Sequence, residues 1–253
     1  MKLPGELRNI VQAFPHPLLF ATVSGAHLYG FPSPDSDYDL RGSHVLPVES
    51  LVGLQEPRET EERLGLESGL DLDLVSHDVR KFCRLLLKRN GYVLEQLLSP
   101  LVVKTSEEHQ ELISYVPGIL TRHHAHHYLG FAQNQWRMFE REPRIKTLLY
   151  VYRVLLTGIH LMRSGEVLAS LPALLGDYPQ PGVADLVDAK MHGAEKQPLT
   201  ASDVEAHAGA FARLRQTLER ARDESHLPDQ PSAFEELDRF VVRVRLGATA
   251  EPD

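Results

Sequence analysis

The sequence predicts an α+β protein in which a mixed α/β part is followed by a part made almost entirely of helices. Before residue 104, apolar or alternating runs typical of strands are interleaved with helical patterns. After residue 104, the apolar residues recur at helical spacing. We therefore predict a first domain at 1–104, a helical domain at 105–246 and a disordered tail at 247–253.

Three strands are predicted in the first part. Positions 18–23 (LLFATV) form an apolar run typical of a buried strand, and positions 38–45 form a second. Positions 70–75 (LDLDLV) alternate strictly between leucine and aspartate, which places Asp71 and Asp73 on one face. Helices are predicted at 2–14, 77–89 and 92–98, and the charged stretch 55–69 is predicted to be a mobile surface connection.

The second part is predicted to contain six helices. They lie near 107–115, 123–140, 145–163, 184–192, 203–224 and 233–244. The helix at 145–163 has a broad apolar face, which is typical of a core helix. The Pro- and Gly-rich stretch 171–182 is predicted to be a connection.

Composition narrows the function classes. The net charge of −8 over 253 residues argues against a generally basic surface that coats nucleic acid. His77, Lys81, Arg84 and Lys88 could still form a local basic stripe, or simply a solvated helix face. The single cysteine, Cys83, excludes an internal disulfide framework and is interpreted as a core residue. We expect no signal peptide, no membrane-spanning stretch and no membrane partner, and hence a cytoplasmic location.

The chemistry is concentrated in a turn followed by two aspartates. After the first strand, Ser24, Gly25 and Ala26 form a small-residue turn that lets the backbone approach a ligand. Asp37 and Asp39 follow at i and i+2, so on a strand both carboxylates point to the same face. Like charges at one place are resolved by a divalent cation or by a raised pKa. The alternative is an ordinary Asp-rich turn, but the apolar residues that follow the pair favour a site.

Two further groups extend this candidate site. One aspartate of the 70–75 strand could meet Asp37 and Asp39 on an adjacent strand, although a half-buried strand with a wet face would need no function. Lys146, Tyr150 and Arg153 stand at i, i+4 and i+7, which places them on one helix face. The alternative for this set is surface cations that flank a core helix.

These motifs resemble the DNA-polymerase-β-like nucleotidyltransferases, and in particular their RlaP-like branch linked to RNA repair. The resemblance is carried by positions 24–30 (SGAHLYG), 35–42 (DSDYDLRG) and 76–82 (SHDVRKF). It implies a polymerase-β-like nucleotidyltransferase domain, a small mixed sheet with flanking helices, ahead of the all-helical domain. One position departs from the pattern, because Ala26 stands where the superfamily has a serine that helps to hold the nucleotide's phosphates.

The resemblance implies roles for these residues. Asp37, Asp39 and Asp73 would be the catalytic and metal-binding residues, with Asp73 favoured over Asp71 by its spacing from 76–77, and the cofactor would be Mg²⁺ or Mn²⁺. The nucleotide-binding residues would be Ser24, Gly25, Ala26, His27, Lys146, Tyr150 and Arg153. The expected substrates are a nucleoside triphosphate and a hydroxyl acceptor, with an RNA end suggested by the branch. The alternatives are a non-catalytic nucleotide- or RNA-binding module and a protein-modifying nucleotidyltransferase.

A histidine cluster at 123–127 invites a separate interpretation. Two of its histidines, three or four positions apart, have the ligand spacing of a zinc site on a helix. No cysteine or acidic residue stands nearby in sequence, so a histidine-rich helix start beside a nucleotide pocket is the alternative. The sequence does not indicate an oligomeric state.

Overall fold

The computed structural model of the chain describes residues 3–193 and 199–247. Five strands are found there: β1 (Leu18–Val23), β2 (Tyr38–His44), β3 (Thr60–Glu67), β4 (Leu70–Asp78) and β5 (Val102–Lys104). The helices of the first half are α1 (Glu6–Gln12), α2 (Gly25–Tyr29), α3 (Glu49–Val52), α4 (Val79–Leu87), α5 (Gly91–Leu97), α6 (Glu107–Ser114) and α7 (Val116–Ile119). Those of the second half are α8 (Ala125–Arg141), α9 (Ile145–Ser164), α10 (Leu171–Asp177), α11 (Val183–His192), α12 (Ala201–Asp223) and α13 (Phe234–Gly247), with a short 3₁₀ helix at Arg122–His124.

The strands form one mixed sheet with the order β3-β4-β2-β1-β5. The central pair β2 and β4 is parallel, and the other pairs are antiparallel. This sheet with its flanking helices, followed by a helical region, is the polymerase-β-like nucleotidyltransferase arrangement that the sequence predicts. The α+β fold class is therefore confirmed.

Each face of the sheet is covered by different helices. On one face, apolar residues of α1 pack against inward-facing residues of β1, β2 and β4, among them Leu40, Leu72 and Leu74. On the other face, Phe20 of β1 contacts Phe82 of α4, with ring centroids 5.3 Å apart. The alternation of side chains along each strand produces this division. It also decides that the odd-numbered residues of β2 and β4 face away from the α1 core.

By their internal contacts, the residues fall into two units. Of the described residues, the first comprises 3–25, 37–119 and 231–247, and the second comprises 26–36, 120–193 and 199–230. The predicted domain boundary at 104/105 stays a prediction. Of the tail predicted at 247–253, Gly247 is the last residue of α13, and 248–253 lie outside the described residues.

The second unit is built around α9, which packs against α8 and α12. Gly158 permits this close packing, because a Cβ there would stand 2.9 Å from side-chain atoms of both Leu218 and Tyr128. Trp136 of α8 stacks on Phe211 of α12 with ring centroids 4.4 Å apart. The broad apolar face predicted for α9 thus packs against more than one neighbouring helix.

Three expectations of local structure are wrong. Positions 55–69 contain β3, an edge strand whose charged and exposed residues hide the strand pattern. This strand joins β4 through a tight turn at Ser68 and Gly69, which both have a positive φ. Positions 171–182 contain the helix α10, which buries Leu171 and Leu174. Residue His77 belongs to β4 rather than to the following helix, since α4 begins after its N-cap Asp78.

The expectation that no stretch could span a membrane needs correction. By length and composition alone, α9 is long and apolar enough to do so. However, 78% of its most apolar window is buried inside the protein, which is the behaviour of a core helix.

Candidate active site

Two aspartates meet at the same level of the parallel strand pair. In the register of β2 and β4, Asp39 lies directly opposite Asp73. Both side chains stand on the face of the sheet that is turned away from α1, and they are 18% and 29% exposed. The structure therefore brings together two of the three predicted catalytic carboxylates, and it selects Asp73 rather than Asp71 as the partner of Asp39.

The guanidinium of Arg41 lies between these two carboxylates. Its Nη2 donates to Oδ1 of Asp39 at 2.8 Å and to Oδ2 of Asp73 at 2.7 Å. The sequence predicts repulsion between Asp37 and Asp39. The structure instead brings Asp39 and Asp73 together, and the charge of Arg41 offsets much of the repulsion between these two carboxylates. The reason is strand alternation, because Arg41 is two residues after Asp39 and so shares its face.

Gly25 of the small-residue turn lies against the carboxylate of Asp39. A Cβ at this position would be 1.6 Å from Oδ2 of Asp39, and the backbone φ of +59° lies in the left-handed region. Any other residue would displace the aspartate and strain the turn. The N–H of Ser24 also donates to the carbonyl of Asp39 at 2.8 Å. The turn therefore fixes the position of Asp39.

Asp37 lies just before β2, two positions ahead of Asp39. It is partly exposed, whereas Asp71 is exposed at the start of β4. Within 3–193 and 199–247, no three His, Cys, Asp or Glu side chains are gathered closely enough to hold a metal ion. The metal-binding role predicted for Asp37, Asp39 and Asp73 stays a prediction.

The other residues of the turn are largely enclosed. Ser24 is fully buried, and its Oγ has no hydrogen-bond partner among the residues that the structure describes. Ala26 is buried as well, and His27 is half-buried. Contact of these side chains with a nucleotide stays a prediction, and Ser24 would have to become accessible to take part.

The predicted cationic helix face lies in the second unit, together with residues 26–36 that follow the turn. The ring of Tyr150 packs edge-on against Tyr29 and Phe31 at centroid distances of 5.5 and 5.6 Å. The guanidinium of Arg153 stacks 3.9 Å from the ring centroid of Tyr29, and its residue is only 3% exposed. These contacts show that α9 supports the segment between the turn and the aspartates.

Lys146 differs from Arg153 in being partly exposed. With Tyr150 it lines an open cavity of about 320 Å³ in the second unit, which is in the size range of small-molecule sites. The remaining lining residues are Gln135, Met138, Glu142, Arg144 and Thr147. Of the predicted cations, Lys146 is therefore the one whose position suits a charged ligand.

Lys190 was not predicted to belong to this region. Its side chain is buried on α11, and Nζ donates to Oγ of Ser33 in the segment before the aspartates. The pKa of nearby Asp35 is lowered, chiefly by a hydrogen bond from Ser33 and further by the charges of Lys190 and Lys146. Lys190 follows Val187 by three positions, so it lies on the apolar face of the helix. A lysine at such a position is unusual, and it was the sequence signal that could have indicated a buried, partnered side chain.

The two other motifs have structural explanations. His123 stacks on His126 with centroids 5.7 Å apart, and both His123 and Arg122 contact Asp229. Within the part of the chain that the structure describes, this cluster forms no metal-ligand group, so the zinc interpretation gains no support. In the proposed basic stripe, Lys81 donates to Oγ1 of Thr60.

Buried groups of the first unit show shifted pKa values. Burial lowers the pKa of His77 to about 4, with the charges of Lys81 and Arg41 acting in the same direction. Burial raises the pKa of the Cys83 thiol to about 12, which agrees with its interpretation as a core residue rather than a nucleophile.

The chain is similar in sequence to a known family and to two known proteins. Residues 2–243 match the profile of RlaP, described as the RNA repair pathway DNA polymerase beta family. The chain is 30% identical over 232 residues to the uncharacterized protein MJ0002 of Methanocaldococcus jannaschii, covering 90% of this chain and 94% of that protein. It is also 30% identical over 169 residues to the uncharacterized protein YcgL of Bacillus subtilis, covering 64% and 63% of the two chains.

Proposed function

Because this chain belongs to the RNA repair pathway DNA polymerase beta family, we propose that it transfers a nucleoside monophosphate from a nucleoside triphosphate to a hydroxyl acceptor. The family supports a nucleotidyltransferase-like role in RNA repair. The observation that carries the finer proposal is the pairing of Asp39 with Asp73 at one level of the sheet, with Gly25 set against Asp39.

The donor atoms at this place suit a hard divalent cation. Asp37, Asp39 and Asp73 offer only carboxylate oxygens, which are the ligands that Mg²⁺ and Mn²⁺ prefer. Asp39 and Asp73 share a face and lie opposite each other, and Asp37 precedes Asp39 by two positions. When bound, the cation would neutralise charge on the phosphates.

Asp73 is proposed to act as general base. Its carboxylate takes the proton of the acceptor hydroxyl as the hydroxyl oxygen bonds to the α-phosphorus. The bond between the α-phosphorus and the oxygen bridging to the β-phosphate breaks, and pyrophosphate leaves. Its exposure of 29%, the larger of the pair, leaves this carboxylate accessible to an acceptor.

The nucleotide is proposed to bind through the turn and the helix face. Gly25, with the backbone of Ser24, Ala26 and His27, would allow close approach of the phosphates. Lys146 would supply positive charge, with Tyr150 beside it in the cavity wall. Arg153 would act through its stacking on Tyr29 rather than through direct contact, since it is buried.

The acceptor is proposed to be an RNA end, on the strength of the family alone, and the location to be cytoplasmic.

Two other functions have particular support. A protein-modifying nucleotidyltransferase would use the same carboxylates, and the net charge of −8 disfavours broad RNA contact. A non-catalytic binding module is favoured by Ala26 and by the ion pairs that Arg41 makes with both aspartates.

The test is a transfer assay with nucleoside triphosphates labelled at the α-phosphate. The protein is incubated with each of the four nucleotides, Mg²⁺ or Mn²⁺, and a panel of RNAs with different ends. The proposal expects label on an RNA with the wild type and none with Asp39→Asn, while the control Asp71→Asn retains transfer. Label on the protein itself would favour protein modification, and nucleotide binding without transfer would favour the non-catalytic module.

A further inference from the structure

Arg41 holds the carboxylate pair through a complete set of hydrogen bonds. In addition to the two ion pairs from Nη2, its Nε donates to the hydroxyl of Tyr92 at 3.0 Å. Its Nη1 donates to the carbonyl of Leu40 at 3.2 Å and to the carbonyl of Asp73. All three guanidinium nitrogens are therefore engaged, one of them entirely by backbone carbonyls of the sheet.

These contacts make Arg41 a fixed rather than a mobile cation. The residue is only 6% exposed, and two of its acceptors are backbone carbonyls of β2 and β4 that cannot move without disturbing the parallel ladder. Moving the guanidinium away would break its hydrogen bonds to these carbonyls and its ion pairs with both carboxylates, and it would leave a largely buried cation without these acceptors. A bound ligand is thus expected to find Arg41 in place.

The position of Arg41 limits the room for metal ions. It occupies one oxygen of Asp39 and one of Asp73, and the second oxygen of Asp39 lies over Gly25. Two divalent cations held by these carboxylates would add four positive charges beside a guanidinium bound to the same groups. Like charges at this range repel strongly in a partly buried site.

We propose that Arg41 takes the place of one of the two metal ions, so that the carboxylate site of this protein binds a single divalent cation. Arg41 is then a positioning residue: it holds the carboxylates of Asp39 and Asp73 next to each other and supplies a permanent positive charge. The inference rests on the proposed function for the identity of the site, but it concerns ion number and can be tested without turnover.

The experiment counts bound Mn²⁺ by electron paramagnetic resonance titration, with the protein alone and with a nonhydrolysable α,β-methylene nucleoside triphosphate. For the wild type we expect one Mn²⁺ per chain in the nucleotide complex. Arg41→Gln removes the charge and should admit a second ion, or bind Mn²⁺ at least tenfold more tightly in the protein alone. The matched control Tyr92→Phe removes only the partner of Nε and should leave the count at one.

The outcomes separate this inference from the proposed function. Two Mn²⁺ ions per wild-type complex would overturn the inference, even if Arg41→Gln failed to fold. Unchanged number and affinity in a folded Arg41→Gln variant would overturn it as well. Failure of the nucleotide analogue to bind would instead count against the proposed function, and the titration of the protein alone would still decide the role of Arg41.

Discussion

The contact between Gly25 and Asp39 gives the sharpest test of how the site is built. Gly25→Ala introduces a Cβ that would stand 1.6 Å from Oδ2 and 2.5 Å from Cγ of Asp39, at a φ of +59°. The carboxylate must therefore move, and the backbone takes on the strain of a left-handed alanine. We expect a loss of stability, weaker Mn²⁺ binding and loss of nucleotidyl transfer.

The magnitude can be separated into two parts by a matched glycine. Gly69 also has a positive φ, +83°, but a Cβ at that position would meet no atom within 4 Å, so Gly69→Ala carries the backbone strain without the clash. That strain costs about 1–2 kcal/mol. Displacing Asp39 also loses its charged hydrogen bond from Arg41, which is worth about 1.5–3 kcal/mol. Gly25→Ala should therefore lose about 2.5–5 kcal/mol in total.

The assay is urea denaturation of both variants, with Gly130→Ala as a third. Gly130 is inside α8 with open space around it, and alanine there should be neutral or stabilising by up to about 1 kcal/mol. If Gly25→Ala costs no more than Gly69→Ala and keeps its Mn²⁺ affinity, the turn does not position Asp39 and the reasoning is refuted.

Three further predictions follow from the same structure. In a labelled-nucleotide assay, Asp73→Asn should abolish transfer but retain nucleotide binding, and Asp71→Asn should retain both. The reverse pattern would mean that the reacting carboxylate is Asp71, at the exposed start of β4. Lys146→Met should weaken nucleotide binding by about 1–3 kcal/mol in calorimetry, and unchanged affinity would exclude the cavity beside Tyr150 as the nucleotide site. Burial lowers the pKa of His44 to about 4, below the value near 6.5 that it has in the unfolded chain. The neutral imidazole therefore makes its full contribution to the free energy of unfolding above pH 6.5. This contribution falls by about 3 kcal/mol on acidification to pH 4. Urea denaturation at a series of pH values should show a flatter profile for His44→Gln than for the wild type or for a variant of exposed His192, and identical profiles would contradict the assignment.

The sequence predicted the centre of the fold well because periodicity there reports burial. The strand Leu18–Val23 is buried along its whole length and was located to the residue. The strict alternation from Leu70 onward correctly placed both of its aspartates on one face. The edge strand Thr60–Glu67 was missed because none of its residues is buried, and a strand without a buried face has no need of an apolar pattern.

Within the candidate site, the sequence indicated which residues carry charge but not how those charges are compensated. The pairing of Asp39 with Asp73 follows from register, which the motif spacing anticipated. The role of Arg41 could have been inferred from its position two residues after Asp39, but its contact with Tyr92 depends on where α5 packs. The burial of Lys190 could have been inferred from its place on an apolar helix face, but its partner Ser33 could not, because Ser33 is 157 residues away in sequence.

The helix α13 makes the first unit dependent on a residue that is far from the sheet in sequence. Arg245 of α13 donates through both Nη atoms, at 2.8 Å each, to the carboxylate of Asp78, which is completely buried. During synthesis, Asp78 leaves the ribosome 167 residues before its partner. A buried carboxylate that lacks its cation costs about 3–5 kcal/mol. The sheet is therefore expected to reach its final stability only after α13 has been synthesised, and polypeptides truncated before Arg245 should be degraded faster by proteases.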